Sequence, residues 1–296
     1  MLSQSAPAPV RVCPSRPARL FPQRFHHLAV VGLLVGLLAG CALSPSPEDA
    51  DADAEAPLSQ GGTLGPATGV TGSRWAELSV PAPAGGLKAG DLNWEIFRVP
   101  GKQPTQYRPV LHAGREAVHA QADASGSILR HQRRVEADQL GRLRFSWNVP
   151  TPGAQANASL PTLEDVPVRV VLAFEGDRSR FSFKNNMLNE LSLLLTGEQM
   201  PFATLIYAWS RVKPPGEVLL NERTDRIRKL VVDSGDGGYD QWLHHERDIR
   251  ADYLKAFGEE PGALLSFAVF TEGEKQEGPL QAFYGPLQLL PALAQK

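Results

Sequence analysis

The sequence predicts a mainly β protein: a single antiparallel β-sandwich, jelly-roll-like, with two short helices, over residues 75–296. Three observations predict it. From about Trp75 onward, short runs alternate apolar and polar residues between turn-forming Gly, Pro, Asn, Asp and Ser. No strand–helix–strand rhythm is sustained, which disfavours a parallel sheet. Hydrophobic residues make up 42% of the 296 and charged ones 21%, enough apolar side chain for a core and too much for wholesale disorder.

The elements follow in order. Residues 94–99 form the first strand, and 106–122 and 126–134 two more, parted by Ala124, Ser125 and Gly126. Residues 142–149 put Leu143, Phe145, Trp147 and Val149 on one face and Arg142, Arg144, Ser146 and Asn148 on the other, the pattern of a half-buried strand. Residues 168–174 are more continuously apolar and suit a central position. In 203–209, Leu205, Tyr207 and Trp209 share a face opposite Thr204, Ile206 and Ala208. Residues 227–232, 264–270 and 280–289 complete about nine strands. Two segments break the rhythm. Residues 186–200 have helical composition. Residues 241–257 place Trp242, Ile249, Tyr253 and Phe257 on one helical stripe, with Asp240 as N-cap and Gly258 ending the helix.

Ahead of this body lie two segments of different character. Residues 1–40 carry Arg11, Arg16, Arg19 and Arg24, no acid, and an apolar run LAVVGLLVGLLAG over 28–40. As a helix, that run would span about 20 Å, short of the roughly 30 Å of a bilayer core. A basic flank, a short apolar stretch and small residues are the pattern of a secretory leader. The run ends Leu38-Ala39-Gly40-Cys41, which resembles the lipobox of bacterial lipoproteins. That resemblance implies cleavage after residue 40 and acylation of Cys41. With Ala42 rather than aspartate next, it further implies the outer membrane, facing the periplasm, in organisms that sort by that residue. An ordinary cleavage site beside a chance cysteine is the plainer alternative. Residues 41–74 then read as an acidic, Pro-rich, solvated tether. Its acids Glu48, Asp49, Asp51, Asp53 and Glu55 lack the turn glycine and closing carboxylate of a calcium loop.

Charge and cysteine usage exclude several functions. The chain has 30 basic and 32 acidic residues, and loss of 1–40 leaves 26 against 32, no footprint for nucleic acid. Of its two cysteines, Cys13 leaves with the leader and Cys41 is the lipid site. The mature body therefore has no thiol for a disulfide, a thiolate zinc site or a nucleophile.

The candidate chemistry is sparse. His112, His119, His131, His244 and His245 show no H-E-x-x-H or other ligand spacing, and neither a G-x-S-x-G elbow nor a Walker loop occurs. No metal and no cofactor are expected. Arg169 points off its strand's apolar face and, if covered, needs a carboxylate from Asp165, Asp248 or Asp252. Such a cluster is either a polar site in a cleft or an ion pair docking the late helix on the sheet, and the second weighs more. Trp147, Tyr207 and Trp209 are either a sugar-stacking platform or core aromatics, again with the structural reading ahead. Asp233, Asp236 and Asp240, in a glycine-rich loop, suit ordinary turns better than calcium.

Six landmarks recur in order: W-E-x-F at 94–97, F-S-W-N-V at 145–149, E-D-V-P-V-R-V at 164–170, A-T-L-I-Y-A-W at 203–209, R-D-I-R-A-D-Y-L-K-A-F-G-E at 247–259 and A-F-Y-G at 282–285. Together they resemble the bacterial secreted domain-of-unknown-function family 3047 over about 92–290. The resemblance implies a β-sandwich related in shape to sugar-binding and glucanase-like jelly rolls. One departure is Thr271-Glu272-Gly273-Glu274-Lys275, where members carry a polar T-D-x-D-x-T stretch. The sequence thus points to a lipid-anchored envelope protein, a non-catalytic module binding glycan or another envelope component. Its expected contacts are Asp165, Arg169, Tyr207, Trp209, Arg247 and Asp248, with the two arginines favouring acidic groups. A hydrolase with a carboxylate pair that sequence alone does not single out is the alternative.

Overall fold

The structure is a computed structural model and describes residues 61–80, 93–151, 165–273 and 279–291. It is mainly β, with two sheets. The larger has eight strands in the order β1 (Gly62–Pro66), β2 (Glu95–Arg98), β5 (Gly126–Val135), β12 (Leu264–Glu272), β7 (Asp165–Phe174), β8 (Ala203–Ser210), β10 (Ile227–Ser234) and β9 (Val218–Leu220). The smaller runs β11 (Leu243–Asp248), β6 (Arg142–Asn148), β13 (Leu280–Tyr284), β4 (Arg115–Ala122) and β3 (Gln106–His112), with β14 (Gln288–Leu290) also on β6. Three α-helices are described: α1 (Arg74–Ser79), α2 (Phe183–Thr196) and α3 (Ile249–Phe257). None of them is long and apolar enough to cross a membrane.

The inward faces of the two sheets share one core. Phe145 of β6 stacks on Tyr207 of β8 with 5.5 Å between ring centroids. Trp75, Trp94, Trp147 and Trp209 expose nothing to solvent. Burial of each such side chain stabilises the fold by roughly 1.5–3 kcal/mol, and the alternation in β6 and β8 puts the aromatics on the inward side.

Several elements differ from the sequence expectation, each for a visible reason. The run 106–122 is a hairpin, β3 and β4, turned at Ala113 and Gly114, both at positive φ (48° and 73°), the geometry of a tight two-residue turn. The run 280–289 is broken by Gly285 and Pro286 into β13 and β14. A Cβ on Gly285 would lie 2.2 Å from the Ser146 hydroxyl, which would have to turn away to admit it. One ladder, β8 with β10, is parallel. Residues 61–74, read as part of the tether, hold β1 and the Ser73 N-cap of α1. There Ala67 and Val70 are buried, and just after it the Trp75 indole donates to the Tyr284 carbonyl at 2.9 Å.

The late helix is the largest revision. Residues 243–248 are strand, not helix, because they pair with β6 from Leu243↔Trp147 to Asp248↔Arg142. The helix begins at Ile249, capped by Asp248, whose side chain accepts from the Ala251 N–H at 2.9 Å. Ile249 and Tyr253 are buried and Phe257 packs against the core as expected, and Gly258 ends the helix at φ 71°. Trp242 is not on that stripe. Asp240 caps nothing: at φ 60° it accepts from the Thr151 N–H and hydroxyl.

Candidate functional site

The residues singled out in the sequence separate into three places. Tyr207 and Trp209 lie in the core with no exposed surface, so they are packing groups, not a displayed platform. Arg247, inward on the edge strand β11, clamps Asp252 of α3 through Nε (2.8 Å) and Nη2 (2.5 Å), and the Tyr207 hydroxyl donates to the same carboxylate at 3.0 Å. Burial, with Asp252 adding to it, pushes the Tyr207 phenol well above its ordinary range. The Asp252 hydrogen bonds raise Arg247. This is an ion pair docking the late helix, built on Arg247 rather than Arg169. Arg169 lies on the other face of β7, its guanidinium 5.1 Å from the Phe270 ring centre and 3.4 Å from Glu272. Asp248 is the exposed helix cap. Asp165 pairs by backbone with Ser210, and its side chain lies outside the described residues.

The acidic loop also separates. Asp233 accepts from the Trp147 indole (2.7 Å) and bonds His245 (2.9 Å), Asp236 pairs with Arg211, and Asp240 holds Thr151. Among the described residues no three His, Cys, Asp or Glu side chains converge as metal ligands.

A different surface gathers ligand-competent groups: the outer face of the smaller sheet. Period-two alternation sends Leu143, Phe145 and Trp147 of β6 and Ala282 and Tyr284 of β13 inward. It therefore turns Phe283, Gln281, His119, Gln121 and Arg108 outward. The Phe283 ring lies parallel to His112 (3.6 Å, 6°) and near parallel to His119 (4.7 Å, 15°). Trp242, just before β11, meets His112 edge-on at 5.9 Å, and the Arg115 guanidinium sits 5.8 Å from the Trp242 ring centre. The Trp242 indole N–H is buried and has no acceptor among the described residues.

Protonation states follow from the contacts. Arg115 donates to His244 Nε2 at 2.7 Å; a guanidinium has no acceptor, so His244 is the neutral tautomer with its proton on Nδ1. Partial burial, reinforced by Arg115, lowers the His244 pKa. Burial also lowers His119, despite its bond to Gln281 at 3.1 Å. Two neutral imidazoles thus flank two cations whose partners here are uncharged: Arg115 on His244, and Arg108 on the Gln106 amide oxygen at 2.9 Å. Farther along the face, Glu246 accepts from both Arg142 and Arg144 and is held below the ordinary carboxylate range by them, Arg144 foremost.

The family model for "protein of unknown function (DUF3047)" matches residues 92–288. The chain belongs to this family. Among curated proteins none matches the sequence. Solved structures similar in part include the family GH12 endoglucanase 3 of Trichoderma harzianum (9% identity, TM-score 0.39, covering 67% of this chain and 91% of that one). The endoglucanase of Rhodothermus marinus matches at 10% identity and TM-score 0.38, covering 67% and 92%. The xyloglucanase domain of NopAA from Sinorhizobium fredii, solved with cellobiose, matches at 13% and 0.33, covering 67% and 93%. The window shared with DUF3047 contains every residue of the outer-face cluster, whereas β1 and α1 lie before it.

Sequence reasoning misses this cluster for two reasons. His112 and His119 have no ligand spacing and suit solvated or capping positions, and the spacing of Trp242 matches a helix stripe. The available signal was the alternation in 115–122, where His119 and Gln121 stand opposite Val118, Ala120 and Ala122.

Proposed function

We propose that this DUF3047 chain is a lipid-anchored, non-catalytic binding module of the cell envelope, with an acidic glycan bound on the outer face of the smaller sheet. The observation that supports it is the ring stack His119–Phe283–His112 with Trp242 at its edge, set between Arg108 and Arg115. Such a ridge supplies apolar ring surface against which sugar C–H groups pack, already held in place, so little side-chain entropy is lost on binding. Gln121, Gln281 and the two arginines supply the few oriented polar groups that fix a ligand. Two guanidinium groups with uncharged partners favour uronate or phosphate substituents over neutral sugars. Against hydrolysis, Glu246 is engaged by two arginines and Asp248 by the helix N-terminus, so neither is placed as an acid or base. Anchoring at Cys41, in the outer membrane facing the periplasm, rests on the leader and the Leu38-Ala39-Gly40-Cys41 ending.

The test is capture of polygalacturonate and of a neutral β-glucan by the parent chain, by Phe283→Ala/Trp242→Ala and by Arg115→Gln. The double variant should lose at least about tenfold in affinity for both, corresponding to some 1.4 kcal/mol. Arg115→Gln should lose chiefly the acidic polymer. Capture of neither polymer by the parent sinks the glycan reading. Release of new reducing ends would replace it with the hydrolase. Palmitate incorporation into the parent but not into Cys41→Ala tests the anchor separately.

A further inference from the structure

Helix α2 is seated the wrong way round for a surface helix. At 100° per residue, Phe183, Met187, Leu191 and Leu194 fall within an arc of about 80°, and they are 81%, 55%, 48% and 77% exposed. With Leu193, α2 carries five of the ten exposed large hydrophobics among the described residues. Its opposite, protein-facing side is polar. Asn185 is buried, donating to Asp225 (2.6 Å) and accepting from Thr224 (2.7 Å). Asn189 accepts from the Met200 N–H at 3.0 Å, and Ser192 donates to the Glu198 carbonyl at 2.9 Å. Hydrogen bonds hold the helix, leaving an apolar strip about 17 Å long facing outward.

We propose that this strip is a lipid-contact surface that lies in the interface of the bilayer carrying the anchor. The position of the chain argues for lipid over a second copy. The described fold begins at Gly61, beside the last turn of α2: a Cβ on Gly62 would lie 2.6 Å from the Thr196 carbonyl oxygen. Cys41 is 20 residues upstream of Gly61, at most about 70 Å of chain. Acylation there keeps α2 within reach of the membrane surface, and Leu64 on β1, two residues from Gly62, is exposed too. The charged side chains of α2, Lys184 and Glu190, cancel, so contact is by apolar burial and needs no anionic lipid. The proposal rests on Cys41 acylation for proximity alone, and its test separates the two.

The experiment uses the full chain recovered from membranes, mixed with excess phosphatidylcholine vesicles brominated in mid-chain. Trp emission is compared for the parent, Leu194→Trp and Leu111→Trp, the last exposed on β3. Both positions are at the surface, and unchanged melting temperatures check the fold. Brominated lipid should quench the added emission of Leu194→Trp and leave that of Leu111→Trp intact, with the same result at high salt. Palmitate labelling is read on the same samples. Labelled protein without Leu194→Trp quenching overturns the lipid-contact surface while the anchor stands. Quenching without label overturns the anchor and keeps the surface. Equal quenching at both positions overturns the surface by showing no orientation. A dimer that Leu191→Gln/Leu194→Gln abolishes, without quenching, assigns the strip to a second copy and overturns it too.

Discussion

Helices α2 and α3 are both capped by the same chemistry and held by opposite forces. Each opens on a side chain that accepts a backbone N–H three residues on, Ser182 for α2 and Asp248 for α3, and each ends on a left-handed glycine, Gly197 and Gly258. Helix α3 then turns Ile249 and Tyr253 into the core and leaves Arg250 and Lys255 outside. Helix α2 turns Asn185 inward and Phe183, Met187 and Leu194 outward. Local sequence thus starts and stops a helix without saying which side it buries. That is decided by what the neighbouring surface offers: aromatic rings under α3, unpaired backbone and carboxylate groups under α2.

The comparison breaks most visibly at Tyr253. Its ring packs against Phe174 (4.7 Å, edge-on) and Phe257 (4.5 Å), so Tyr253→Ala should cost about 3–5 kcal/mol in denaturant unfolding. Its hydroxyl is buried without a hydrogen-bond partner among the described residues, so Tyr253→Phe should be neutral or stabilising. A large loss in the Phe variant would mean the hydroxyl, not packing, seats α3. The corresponding cut in α2 is Asn185→Ala, which removes two buried polar contacts and should cost about 1–3 kcal/mol. A neutral melting temperature there would mean α2 is not held by hydrogen bonds.

Acid should loosen the α2 end. Arg130 donates to both Glu95 and Glu198, tying β5 and β2 to the segment after α2, and these bonds hold the Glu198 carboxyl below its ordinary value. A depressed folded pKa contributes stability above the unfolded glutamate value of about 4.3 and loses it as pH falls through the folded one. Urea midpoints should therefore decline below about pH 4.3, and Glu198→Gln should flatten that decline. An identical acid limb in both proteins would remove Glu198 from the account. The smallest effect is expected from Leu194→Gln, within about 0.5 kcal/mol of the parent, because the side chain is already in water. A clear loss of stability on that change would show the strip is covered within the chain itself.

Much of the fold was legible because it depends on local chemistry. Alternation in 142–149 and 203–209 identified β6, β8 and their inward aromatics, the ordered landmarks identified the family, and Gly258 marked the end of α3. The segment 241–257 was misread because Trp242 stands seven residues before Ile249, two helical turns along the stripe of Tyr253 and Phe257, and only pairing with β6 shows that 243–248 is strand. The approach of Glu272 to Arg169 was equally beyond local reasoning. Glu272 is brought near it by β12 lying beside β7, over a hundred residues apart in the chain.

By itself, then, the sequence determined the mainly β class, the glycine that ends α3 and the residues that alternate inward in β6 and β8, all set by neighbours within a turn or a strand. Tertiary structure decided which arginine docks the late helix, which aromatics are displayed and which side of α2 meets water. Each of those choices depends on strand order, and strand order brings together side chains such as Phe283 and His112 whose separation along the chain carries no period to read.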